Sequence, residues 1–119
     1  RIIGSGFNRT LLDRDPTAHA EMVAIRRACK KAGSHQLNQC VIYASCQPCP
    51  MCLSAICWSG IRRIYFGCSS DKAEQVGFGD EFVYREVCGA KNQREIESIQ
   101  LLPRQAFDAL QLWKKKSGQ

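Results

Sequence analysis

No apolar run in the 119 residues approaches the roughly 20 that span a bilayer. No stretch has the charged, apolar and small-residue order of a secretion signal, and there is no internal repeat or Gly/Ser-rich linker. Membrane, secreted and repeat architectures are therefore not expected. Aromatic residues make up only 8% of the chain, and none alternate with the basic pairs as a base-stacking platform would require. The net charge of +6, carried by Arg26-Arg27, Lys30-Lys31, Arg62-Arg63 and Lys114-Lys115-Lys116, accordingly reads as solvated helix faces, and a nucleic-acid partner is not expected. Hydrophobic residues at 45% and charged residues at 24% are ordinary for one globular domain covering 1–119. The chain opens on Arg1, within a strand-like "RIIGSG", so the opening elements of its domain are expected to lie upstream of it.

Cysteine is the residue in excess, with eight. Cys29, Cys40 and Cys68 sit inside apolar runs, which suits buried thiols of a reducing, cytoplasmic compartment better than a secreted disulfide scaffold. "CQPCPMC", Cys46 to Cys52, has the C-x2-C-x2-C register that can open an iron–sulfur site. That register needs a further cysteine after three intervening residues, followed by proline. Here four residues separate Cys52 from Cys57, and Trp58 follows. The iron–sulfur register fails there.

Strand and helix signals alternate along the first half. "RIIGSG" reads as a strand and "TLLDRDP" as a loop leading into a helix. Met22, Ile25, Cys29 and Ala32 recur at helical spacing up to Gly33, which predicts an amphipathic helix. "CVIYA" reads as a buried strand, "PMCLSAICW" as a second helix stopped by Gly60, and "RRIYFG" as another strand. This alternation predicts a layered α/β fold with parallel neighbours. "SSDKAEQVGFGDEFVYREV" reads as a long irregular loop, "EIESIQL" as a last strand, and "RQAFDALQLWKKK" as a terminal amphipathic helix.

One imidazole and two thiolates, from His19, Cys49 and Cys52, form a donor set suited to zinc, one per chain. Three protein ligands leave a fourth position for water, as in catalytic rather than structural sites. Glu21, two residues after His19, is the expected proton carrier. In a regular helix its side chain would point roughly 200° away from that of His19, so His19 must sit at the frayed helix start. Cys46 as a fourth ligand would instead close the metal into a non-catalytic module, a reading that leaves Glu21 without a task.

H-x-E followed by P-C-x-x-C matches the signature of zinc deaminases, and this is a resemblance rather than a consequence of spacing. "DPTAHAEMVAIRRAC", "CQPCPMCLSAICW" and "GFGDEFVYREV" together resemble the guanine deaminase branch of the cytidine-deaminase-like superfamily. The tRNA adenosine deaminase branch shares the zinc motifs but not the "GF-x-D-x-F-x-Y" stretch. The resemblance implies a three-layer αβα sandwich with a central mixed sheet and hydrolytic deamination of a purine base, most simply guanine to xanthine and ammonia. It also implies Asp80 as a second catalytic carboxylate, and Asn8, Ala20 and Trp58 as substrate-binding residues. A homodimer is implied too, with the segment from about residue 70 to 119 exchanged between subunits. Three departures stand out: the family's first helix and first strand are expected upstream of Arg1, Gln47 occupies a position where this motif usually has glutamate, and the tail Ser117-Gly118-Gln119 has no aromatic tip.

Overall fold

The apolar spacing from Met22 to Ala32 produces helix α1, Ala20–Ala32, in a computed structural model that describes residues 1–90 and 93–117. Val23 and Ala28 are buried on its inner face, while Lys30 and Lys31 lie in the last turn, where the helix dipole favours cations. Gly33 ends it in the left-handed conformation, φ 67°, with its N–H on the Cys29 carbonyl. Helix α2, Pro50–Ser59, starts on proline and stops at Gly60 (φ 83°). Both helix ends fall where the turn chemistry of the sequence puts them.

Strands β1, Ile42–Cys46, and β2, Ile64–Cys68, run parallel with Ile42 opposite Ile64 and Cys46 opposite Cys68. Helix α2 is the crossover between them, as a parallel pair requires. Ala28, Leu37, Ile42, Ile56 and Ile61 form the core, with Ile3, Ile25 and Ile64 packed against it.

The structure corrects the sequence reading at four places. Within β1 only Ile42 is buried, and Tyr43 is 69% exposed, its ring 4.9 Å from that of Tyr65 on an open sheet face. "RIIGSG" is not a strand. It lies against α1 instead, close enough that a Cβ on Gly4 would stand 2.6 Å from the Ala24 carbonyl oxygen, and a groove separates it from β1. Strand identity requires a hydrogen-bonded neighbour, and across that groove neither side has one. The third correction concerns the sheet. Among the described residues it has two parallel strands, so neither a mixed central sheet nor a strand at "EIESIQL" is present.

The fourth is the supposed loop, which contains α3, Ser70–Gln75, and α4, Glu81–Cys88. The Ser69 hydroxyl caps α3 by accepting the Lys72 N–H. Elements this short carry too few turns for apolar periodicity to show against the glycines between them.

Arg1–Gly89 forms one compact unit and Ala90–Gln119 another. The second contains α5, Pro103–Ser117, which is the terminal helix the sequence predicts; none of its residues is buried. Gly118 and Gln119 lie outside the described residues. No described helix is long and apolar enough to cross a membrane.

Candidate metal centre and active site

Two helix N-termini meet at one point. Loop 13–17 sets the first of them: the Asp15 carboxylate accepts the Thr17 N–H and hydroxyl at 2.9 and 2.7 Å, and Arg26 of α1 donates to the same Thr17 hydroxyl. These bonds, with Thr17 first among them, also hold the Asp15 carboxyl below its usual range. The chain therefore enters α1 through His19 as N-cap, with φ −65° and ψ 158°. The imidazole makes no capping bond, and its Nδ1 lies 3.5 Å from both Cys49 Sγ and Cys52 Sγ.

Cys49 is the N-cap of α2, between the buried Pro48 and Pro50. Cys52, one turn on, is fully buried. One ligand atom from each of His19, Cys49 and Cys52 falls within 4.8 Å of the others.

These separations can be tested against zinc. Bond lengths of about 2.3 Å to sulfur and 2.0–2.1 Å to nitrogen, at a tetrahedral angle, give an N–S edge of about 3.5–3.6 Å. The two observed N–S edges have that length. Without metal the thiols share a proton: Cys49 is held down to about 5, first by the hydrogen bond from Cys52 and further by the backbone N–H groups and His19 facing it. Cys52 is pushed up, first as the donor to Cys49, then by burial and by the Glu21 carboxylate against it. His19, Cys49 and Cys52 would hold a dication there, and it would satisfy both sulfurs in place of that proton. The residues fit zinc.

Glu21 lies in the first turn of α1, with His19 just outside the helix, so the constraint on their relative directions is met. Its side chain reaches Cys52 and lines an open groove of about 1170 Å³ bounded by 1–6, α1 and 39–46. Ala20 lines the same groove. Asp80 is the N-cap of α4 and makes no capping bond with its side chain. It borders a smaller hollow of about 260 Å³ with Ser70, Glu74 and Tyr84.

The other expected residues stand apart. The Asn8 side-chain oxygen accepts the Thr10 N–H and hydroxyl in a local turn. Trp58 is 83% exposed in the last turn of α2 and does not line the groove. Cys46 is exposed at the end of β1 and, among the described residues, is not in the ligand cluster.

Sequence reading missed two residues near the site. Burial, then the Asp80 carboxylate and Cys49, push the Tyr84 phenol up, and α4, which carries Tyr84, packs on α2. The sequence signals for Tyr84 are its place at the end of the "GF-x-D-x-F-x-Y" stretch and the i, i+4 spacing from Asp80, the latter hidden once the segment is read as a loop. Gln47, noted in the sequence merely as a departure, bonds residues 68 and 70, where β2 passes into α3.

Comparison with known proteins agrees with this geometry. The family model for the cytidine and deoxycytidylate deaminase zinc-binding region matches residues 1–68. The chain is 40% identical over 113 residues to guanine deaminase of Bacillus subtilis (strain 168), covering 95% of this chain and 72% of that protein. A crystal structure of Bacillus subtilis guanine deaminase superimposes with a TM-score of 0.91 at 39% identity, over 97% of this chain and 73% of that one. A tRNA-specific adenosine deaminase of Haemophilus influenzae is 41% identical, but over 76 residues, which are 64% of this chain and 44% of that protein.

Proposed function

The chain belongs to the cytidine and deoxycytidylate deaminase zinc-binding family, and from that premise we propose that it hydrolyses guanine to xanthine and ammonia. It has the cytidine-deaminase-like α/β fold and is a zinc-dependent hydrolase of C–N bonds. The observation that carries the reading is the His19–Cys49–Cys52 triangle with the Glu21 carboxylate beside it at the groove. Bound there, zinc supplies Lewis acidity and lowers the pKa of water toward neutrality.

Glu21 then takes the proton of the attacking water and delivers it to the ring nitrogen next to the reacting carbon. Asp80, unengaged by its own helix, takes the remaining proton of the hydroxyl added at that carbon and passes it to the amine as the C–N bond breaks and ammonia leaves. His19 and the two cysteines hold the metal, and Ala20 leaves room beside Glu21 for a flat base.

Guanine is preferred to tRNA adenosine because the likeness to guanine deaminase runs through the segment bearing Asp80, over 113 residues against 76. Ammonia release from guanine, adenine, cytosine and tRNA measured in parallel tests this. Turnover of guanine with none of tRNA is the expected result. The reverse pattern overturns the substrate assignment while leaving the metal site intact.

The active particle is proposed to be a homodimer, and the location cytoplasmic, the latter in keeping with eight free cysteines. Phe107, Leu110 and Trp113 of α5 are 58%, 63% and 59% exposed, a helical stripe with nothing over it in one chain. Exchange of this segment between identical subunits covers the stripe with contacts the chain already encodes. On the sequence alone the exchange starts near residue 70. The structure favours a start at Ala90, since α4 packs on α2 within the unit that carries the ligands. Asp80 then serves its own chain. Light scattering should give two chains per particle, and Leu110→Glu should reduce that to one; a monomeric wild type rules the exchange out.

A further inference from the structure

Gln47 stands between the end of β1 and the ligand Cys49. Its backbone N–H donates to the Cys68 carbonyl at 2.8 Å, carrying the β1–β2 ladder one residue beyond the strands. Its side-chain Oε1 accepts the Ser70 N–H at 3.0 Å. Ser70 is the first residue of α3, whose N–H groups have no partner within the helix. One residue thus ties the metal loop to residues 68–70 through both backbone and side chain.

From Ser70 the connection to Asp80 is braced by backbone hydrogen bonds. Ala73 N–H bonds the Ser69 carbonyl, Phe78 N–H returns to the Ala73 carbonyl, and Tyr84 N–H bonds the Asp80 carbonyl. The buried Ala73 anchors the turn. On the other side, Pro48 and Pro50 limit the freedom of the chain around Cys49. A displacement at the Gln47–Ser70 bond is therefore passed to Asp80 and Tyr84 on one side, while Cys49 stays fixed on the other.

We propose that Gln47 is a positioning residue that sets Asp80 and Tyr84 in register with the metal ligands, acting only as a hydrogen-bond acceptor. The task requires an oxygen and no charge. Glutamate, with the same oxygen at the same reach, would serve equally; a side chain without the oxygen would not. The kinetic part of the inference rests on the deaminase reading, whereas the structural part does not.

The variants are Gln47→Met, of similar length but no acceptor, and Gln47→Glu. Amide hydrogen exchange of the zinc-loaded protein reads the tie directly. In Gln47→Met, exchange at Ser70 and at Tyr84 should quicken about tenfold, the effect of losing one ordinary hydrogen bond. In Gln47→Glu both should stay slow. With guanine as substrate, Gln47→Met should lower kcat on the order of 10–100-fold, as small misplacements of a reacting group do. Zinc content and KM should hold, and Gln47→Glu should restore the rate. In an Asp80→Asn background, Gln47→Met should add little further loss, because the residue it positions is already gone.

Faster exchange at Ser70 alone, with Tyr84 unchanged, overturns the proposal, because the tie would then end at α3. Zinc loss in Gln47→Met also overturns it, because Gln47 would then hold the metal loop itself. If no variant turns over any base, the function assignment fails, and exchange at Tyr84 still decides the positioning role.

Discussion

Glu21→Gln keeps zinc near one per chain and lowers guanine turnover by roughly 10²–10⁴-fold, the range for loss of a general acid–base group. The change preserves size and hydrogen-bonding reach and removes only the capacity to carry a proton. Glu21 is not one of the three ligands, so the triangle of His19, Cys49 and Cys52 survives. Its carboxylate does lie against the buried Cys52 sulfur. That contact makes metal content the decisive second measurement. Loss of zinc together with rate would show that Glu21 supports the ligand rather than moving a proton, and the proposed mechanism would lose its proton carrier.

His19→Ala is expected to release the metal and with it all turnover above background. Two thiolates remain at the start of α2, but the third vertex of the triangle is gone, and nothing among the described residues is placed to take it. Elemental analysis after dialysis gives the metal content. Cobalt in the wild-type site supplies the companion result: absorption bands of two thiolates that move when a guanine analogue is added. Cys46→Ser should leave those bands unchanged, since Cys46 is exposed at the end of β1. Bands of three thiolates that ignore added ligand would mean that Cys46 closes the site, and the enzyme reading would fall. Thermal stability should also drop in His19→Ala, because zinc bound only to the folded state adds its binding free energy to folding.

Much of the site could be read before any coordinates. The donor types and their helix-start positions follow from local rules: a histidine just ahead of an amphipathic run, and a cysteine between two prolines opening a second run. Gly33 and Gly60 end both helices in the left-handed conformation their sequences call for. By contrast, α3 and α4 were hidden, because six and eight residues give fewer than three turns of pattern. The open face of β1 was hidden for another reason: a run of apolar residues states that a strand is to be covered, not what covers it.

The sequence by itself determined the chemistry of the centre: one imidazole, two thiolates and a carboxylate, held on two helix beginnings whose partial charge favours anions. These are local properties, encoded within a few residues of each side chain. Only the tertiary structure decided that Nδ1 of His19 is the nitrogen facing both sulfurs at 3.5 Å. It also decided that Trp58 faces outward and that Gln47 joins the metal loop to α3. Each of these depends on which residues, some twenty to thirty positions apart or on opposite faces of one helix, are brought together when α1 and α2 close on the sheet. Rotamer and contact partner are set by that packing and not by the local chain, which is why composition and spacing are silent about them.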